Sequence, residues 1–208
     1  MGKNKREVPT VSVIVPCYNE ERTIALLLKA ICSQTYPLGR MEVVVSDSMS
    51  TDATRENIQK FTIENPGIKI KVVDNLKHTI PAAINSAVAV AEGEFLVRLD
   101  AHSIPKKDYV ERSIKHLIEG KGENVGGVWE IQPGGKGWIA KSIAAAAAHP
   151  LGVGDALYRF TEKAGYVDTV PFGAFRKETF EKAPCFEETL LANEDYEFNV
   201  RIRKSGGR

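Results

Sequence analysis

No stretch of this chain approaches the ~20 consecutive apolar residues needed to cross a bilayer; the run over residues 143–148 is far too short. One-sided charge is also missing: 28 basic against 27 acidic residues leave a net +1, no basis for coating a nucleic acid. Cysteine is scarce. Cys17, Cys32 and Cys185 are odd in number and widely spaced, which fits neither a CxxC zinc site nor a disulfide framework. They read as small core or surface thiols, reduced in a cytosolic compartment. No GxGxxG follows the first apolar run, where Pro16-Cys17-Tyr18-Asn19-Glu20 stands instead, and no GxxxxGK[ST] occurs. A dinucleotide fold and a phosphate loop are excluded, so a bound nucleotide has to be held by side chains, backbone groups and a cation. The start MGKNKREVPT has no apolar signal core, and Arg6 stands where a myristoylated N-terminus wants Ser or Thr.

With 208 residues, a 43% hydrophobic fraction and no repeat, linker or low-complexity tract, the chain can bury the core of one domain. Two periodicities alternate along it. Residues 11–15 are a continuous apolar run, and residues 20–34 carry Ile24, Leu27, Leu28 and Ile31 at helical spacing. Residues 42–46 read as a buried strand, 51–63 as a helix opened by a Ser/Thr/Asp cap, and 68–73 as a third strand. Thr79 and Pro81 open a helix through Ala91, with Pro in the first turn, where its missing N–H costs nothing. Residues 95–99 are the fourth strand, and Pro105 begins a helix through Ile118. The order β-α-β-α-β-α-β predicts a mostly parallel, twisted sheet flanked by helices. Beyond Gly120 the pattern weakens into a strand over 124–131, a turn at 134–137, an Ala-rich helix over 138–148, an irregular Gly-rich stretch and a last helix over 194–204.

Acidic residues stand where strands hand over to loops. Asp47 closes MEVVVSD, Asp100 closes EFLVRLD, and Asn193-Glu194-Asp195 opens the last helix. In open α/β sheets ligands bind at the carboxyl edge of the strands. Three acids there, one in an Asp100-Ala101-His102 pair, point to a metal-bound diphosphate and to acid–base chemistry.

The stretches VSVIVPCYNEERTI, VVVSDSMSTDAT, FLVRLDAH and NEDYEFNVRIRKSGG, in that order, resemble the inverting family 2 glycosyltransferases. DSMSTD, RLDAHS, HPLGVGDALYR and PFGAFRKETF look like the branch that includes succinoglycan-type exopolysaccharide transferases. The resemblance implies a Rossmann-like, A-type nucleotide-sugar fold. Residues 1–120 would form a nucleotide-binding half and 121–208 an acceptor-side half of a single domain. Family members normally continue with further strands and helices, so the chain reads as C-terminally truncated.

Carried over residue by residue, the resemblance sets Pro16, Tyr18 and Glu20 against the base and ribose, and Asp47 on the uracil or ribose edge. Ser48 and Met49 depart from the family's Asp-Asp-Gly-Ser pattern. Asp47 has a competing, purely structural role as turn-former or helix cap. Asp100-x-His102 occupies the Asp-x-Asp position, where alternate residues at a strand end point the same way and can address one divalent ion. Imidazole favours Mn²⁺ over the all-oxygen preference of Mg²⁺. Glu194-Asp195 matches the family's acidic pair, with Asp195 as the base that deprotonates the acceptor hydroxyl. The helix dipole at that position lowers a carboxyl pKa, so burial is expected to offset it. Their structural alternative is simple stabilisation of a helix N-terminus. Residues 172–175 resemble the acceptor-side wall. Trp129 and Trp138 stack on sugars or are buried, and His78, His116 and His149 read as ordinary.

The expected protein is a transferase moving a hexose from a UDP-sugar to a saccharide or lipid-linked glycan. It would work in the cytoplasm, at the inner face of the membrane, with peripheral membrane association in a longer protein. The alternatives are a sugar-phosphate nucleotidyltransferase, which wants a Gly-rich basic signature that PCYNEERT lacks, and a non-catalytic nucleotide-sugar-binding domain, which need not keep Asp195.

Overall fold

The structure, a computed structural model, describes residues 7–161, 163–183 and 185–208; the Met-Gly start and Arg6 lie outside them. Six strands form one sheet in the order β3-β2-β1-β4-β6-β5. β1 (Val11–Cys17) is central, parallel to β2 (Met41–Asp47) on one side and β4 (Phe95–Arg98) on the other, and β3 (Lys69–Asp74) extends the parallel set beyond β2. β6 (Ala174–Arg176) runs antiparallel to β4, and β5 (Asn124–Val125) antiparallel to β6.

The mostly apolar sequence of β1, broken by buried Ser12, reflects burial of both sheet faces. Val13 and Val15 point into one layer with Leu27, Leu28 and Ile31 of α1 (Ile24–Cys32), Ile58 of α2 (Thr54–Glu64), and Val110 and Ile114 of α4 (Tyr109–Ile118). Ile14 points the other way, into a layer with Ile84 of α3 (Ile80–Val90) and Phe198 and Ile202 of α8 (Glu194–Lys204). α3 starts as its sequence dictates: Thr79 Oγ1 accepts from the backbone N–H of Ala82, and Pro81 sits in the first turn. The sheet is therefore a packed middle layer, and its carboxyl edge is left free to carry side chains.

Several boundaries differ from the sequence reading, each for a local reason. α1 begins at Ile24 because residues 19–23 form a turn, with Asn19 at φ 52° and the Glu20 N–H bonded to Thr54 Oγ1 at 2.7 Å. α4 begins at Tyr109, after an extended Pro105 segment. The strand expected over 124–131 is only two residues long, since Gly126 and Gly127 pack under Val170 and Tyr109 and the path turns away. β6 was not foreseen: three residues are too few to display a period. It lies close against its neighbour because Gly173 has no side chain; a Cβ there would fall 1.7 Å from Asn124 Oδ1. The Gly-rich stretch holds the short helix α6 (Pro150–Val153), and α7 (Thr179–Lys182) follows β6. α5 (Trp138–Ala147) carries no buried residue. Among the described residues no helix is long and apolar enough to cross a membrane.

Candidate active site

Strand order reverses direction about β1, since the chain winds outward through β2 and β3 and then returns to place β4 on the opposite side. That reversal opens a crevice at the carboxyl ends of β1 and β4. The parallel register sets Cys17, Asp47 and Asp74 abreast at this edge. A cleft of about 520 Å³ lies over it, walled by Pro16 at the end of β1, Tyr18 and Glu20 after β1, Ser48 after β2, His78 after β3, and Asp100 and His102 after β4. Three loops bordering this edge contain a non-glycine residue in the left-handed region: Asn19 (φ 52°), Met49 (φ 59°) and His78 (φ 56°). Such backbone costs roughly 1–3 kcal/mol per residue and persists where surrounding contacts over-determine it.

Asp100 and His102 face the same cleft, as their alternate spacing requires. His102 is exposed at 63% of its side chain, and its Nδ1 lies 2.9 Å from Glu20 Oε1. Glu20 also receives the Thr23 hydroxyl through a short hydrogen bond. A carboxylate that accepts the N–H of one imidazole nitrogen leaves the other facing outward with its lone pair free for a metal ion. Among the described residues no cluster of three or more His, Cys, Asp or Glu side chains forms a metal cage. Two donors at the rim are suited to an ion that takes its remaining ligands from a diphosphate and water, the usual habit of Mg²⁺.

Asp47 sits at the predicted strand end, yet its side chain is completely buried. Oδ2 accepts from the Ser50 backbone N–H at 3.0 Å and from Arg55 Nε at 2.5 Å, and Oδ1 accepts from the Ser50 hydroxyl at 2.5 Å. Its oxygens are occupied by its own loop and by α2, and the cleft wall at that level consists of Ser48 and His78.

The acids of β4 and α8 converge on a residue that the sequence reading passed over. Arg98, only 4% exposed, points the same way as Asp100, two residues on, and its guanidinium lies among three carboxylates. Nη1 makes a short ion pair with Asp195 Oδ1, while Nη2 lies 3.4 Å from Asp100 Oδ1 and 3.5 Å from Glu194 Oε1. Phe172 packs over the guanidinium at 5.8 Å. A buried guanidinium needs acidic partners to offset its lost hydration, and a single Arg inside the apolar run FLVRL was the available signal.

Burial pushes the Asp195 carboxyl up to about 7; Arg98 opposes the shift, and Glu194 and Asp100 add to it. Burial also raises Asp100, against the pull of Arg98 and His102. The cations therefore lower the cost of burying these carboxylates without restoring an ordinary acidity. A carboxylate near 7, joined through Arg98 to Asp100 in the cleft wall, has the basicity expected of a general base at neutral pH.

Asn193 precedes α8 in the left-handed conformation (φ 62°), and the first turn of the helix carries the Glu194 and Asp195 carboxylates that meet Arg98. Behind it Phe198 and Ile202 are buried, while Arg201 pairs with Glu197 at 2.6 Å and Arg203 donates to the Asp168 carbonyl. Trp129 stacks on Phe172 at 4.4 Å with Arg159 over its ring, whereas Trp138 is 77% exposed. His149 caps α6 by accepting from the Leu151 N–H.

Residues 12–183 match the family model described as Glycosyl transferase family 2. The chain is 31% identical over 198 residues to the succinoglycan biosynthesis protein ExoA of Rhizobium meliloti (strain 1021), covering 94% of this chain and 58% of that protein. It is 27% identical over 203 residues to a dolichyl N-acetyl-alpha-D-glucosaminyl phosphate 3-beta-D-2,3-diacetamido-2,3-dideoxy-beta-D-glucuronosyltransferase of Methanococcus voltae, covering 94% and 62%. The mannosyltransferase PcManGT from Pyrobaculum calidifontis, solved with GDP-Man and Mn²⁺, superposes with a TM-score of 0.75 at 26% identity, covering 98% of this chain and 54% of that one. S. aureus TarS in complex with UDP-GlcNAc superposes at 0.71 with 24% identity, covering 94% and 54%, a likeness of fold alone. The chain thus spans 58% and 62% of the two curated relatives.

Proposed function

The chain belongs to glycosyl transferase family 2, and from that premise we propose that it transfers a hexose from a UDP-sugar to a saccharide or lipid-linked glycan, with inversion. The observation that carries the reading is Asp195, a buried carboxyl raised to about 7 and joined through Arg98 to Asp100 in the cleft wall. The family match decides against a nucleotidyltransferase, and the raised base argues against a domain that only binds. Support for a nucleotide-sugar donor comes from the relative solved with GDP-Man, support for the glycan product from the relative in succinoglycan biosynthesis, and the uridine base is carried by the sequence resemblance alone. No helix among the described residues is long and apolar enough to cross a membrane. The setting we propose, on the family resemblance, is the cytoplasm at the inner face of the membrane, with peripheral membrane association in a longer protein.

Residues 1–120 would bind the nucleotide and 121–208 face the acceptor. Pro16 and Tyr18 border the base and ribose, and Glu20 orients His102. Asp47 braces the loop after β2 through Ser50 and Arg55, so its base or ribose contact would require that loop to open. Asp195 takes the proton from the acceptor hydroxyl as its oxygen attacks the anomeric carbon on the face opposite the diphosphate. The anomeric C–O bond to the diphosphate breaks in the same step, and the nucleoside diphosphate leaves with the bonding pair. Glu194 shares Arg98 with Asp195 and sets the local field. Asp100 and the outward nitrogen of His102 would hold a divalent ion, which supplies Lewis-acid stabilisation of the leaving diphosphate. The imidazole favours Mn²⁺.

Thermal denaturation tests donor and metal together. UDP and a UDP-hexose should raise the midpoint in Mn²⁺ more than in chelator; saturation at a hundredfold over Kd corresponds to about 2.7 kcal/mol. Asp100→Ala should remove the metal-dependent part. His102→Asp should retain binding and shift preference toward Mg²⁺. Equal stabilisation with and without metal would contradict the metal assignment, and the absence of any stabilisation by uridine nucleotides would contradict the donor.

A further inference from the structure

We propose that His78 reads the base of the donor, accepting the imino N–H of uracil on its Nε2. This rests on the donor reading above and deepens it.

Three observations support the assignment. His78 lines the same cleft as Tyr18, Asp100 and His102. Its ring meets Tyr18 edge-on, with centroids 6.5 Å apart and planes at 86°. A flat ring entering beside Tyr18 would therefore meet the imidazole at its rim. The ring is also held in one orientation, because Nδ1 lies 3.0 Å from the Ser48 carbonyl oxygen. A carbonyl can only accept, so Nδ1 carries the hydrogen, and in the neutral ring Nε2 is left as an acceptor. Among the described residues Nε2 has no protein partner.

The second observation is how firmly the loop is built. His78 adopts φ 56°, a conformation costly to a residue with a Cβ. Buried Asn75 compensates by tying the loop at both ends, donating to Ser48 Oγ and to the Thr79 carbonyl, each at 2.9 Å. Asn75 N–H also donates to the Asp47 carbonyl at 2.9 Å. A strained residue so fixed, with one polar atom left open to a cleft, is a pre-organised contact.

The third observation is what the opposite candidate cannot do. The Asp47 carboxylate is fully buried, its two oxygens already bonded to Ser50 and Arg55, so it does not reach the cleft wall beside Ser48. The open acceptor at this level is the imidazole. A base that presents an imino N–H complements it. Cytosine, with a ring nitrogen acceptor at the matching position, faces it with two lone pairs and is disfavoured.

The test compares UDP with N3-methyl-UDP, which lacks the imino hydrogen, by calorimetric titration in mildly alkaline buffer with Mn²⁺. The wild type should prefer UDP by about tenfold, the upper range for a neutral hydrogen bond. His78→Ala should bind UDP more weakly and discriminate by less than about twofold. His78→Asn tolerates positive φ and retains an amide acceptor, so it should recover part of the preference. If His78→Ala kept the wild-type ratio, or lost affinity for both nucleotides equally, the assignment would be overturned. If the wild type bound neither nucleotide, the donor reading would fall first and this contact with it.

Discussion

Replacing Asp195 by Asn is expected to slow sugar transfer by about 10²–10⁴-fold, the usual worth of a positioned acid–base group. The amide preserves shape and the contact to Arg98 but cannot take the acceptor proton. UDP affinity should hardly change, because in the proposed reaction Asp195 serves the acceptor hydroxyl and not the diphosphate. Glu194→Gln should cost less, since that carboxylate acts through the field around Arg98. The pH profile gives an independent readout. Because burial raises Asp195 to about 7, the active, ionised form is scarce in acid and accumulates as pH rises. The logarithm of kcat/KM should climb through about pH 7 and then level, with an apparent value belonging to the three-acid cluster as a set. In Asp195→Asn that limb should vanish from the residual rate. A full-rate Asn variant would shift the base to Glu194.

Arg98→Met should be the most destabilising single change near the site, costing about 3–5 kcal/mol, because removing one partner leaves charges buried without compensation. Three carboxylates share that guanidinium, and Asp195 lies closest. Urea denaturation should show a lower midpoint with an unchanged slope. The deficit should also depend on pH in a defined sense. Asp100 and Asp195 have raised values even with Arg98 in place, and removing the cation raises them further. The variant's folded state then binds protons that the unfolded chain has released, so its stability falls with rising pH and the deficit shrinks in acid. Arg98→Lys keeps charge but loses the planar fork, and an intermediate loss is expected. Wild-type stability for Arg98→Met at both acid and alkaline pH would dismantle the hub.

How the fold was legible follows from which elements carry a period. The run that became β1 and the spacing of Ile24, Leu27, Leu28 and Ile31 state burial on two faces and on one stripe, and both elements formed there. α8 occupies residues 194–204 as expected, since Phe198 and Ile202 mark its inner face and Gly206 follows its end. β6 is three residues long and owes its place to contact with β4 and to Gly173, which are tertiary facts. In the site, the acids were visible because each follows an apolar strand or opens a helix. Their partners were not. Arg98 hid inside a strand pattern, and Arg55 reaches Asp47 from the first turn of α2. His78 had no local motif, and only the fold carries the loop after β3 to the wall of the cleft.

The most direct measurement is the anomeric configuration of the glycosidic linkage formed from an α-linked gluco- or galacto-configured UDP-sugar, read by proton NMR from the coupling at the anomeric position. A single displacement with Asp195 as the base places acceptor and diphosphate on opposite faces, so the product should be β-linked and show the large trans-diaxial coupling. An α-linked product, with its small coupling, would contradict the account, because retention requires a second displacement or attack from the face the diphosphate leaves.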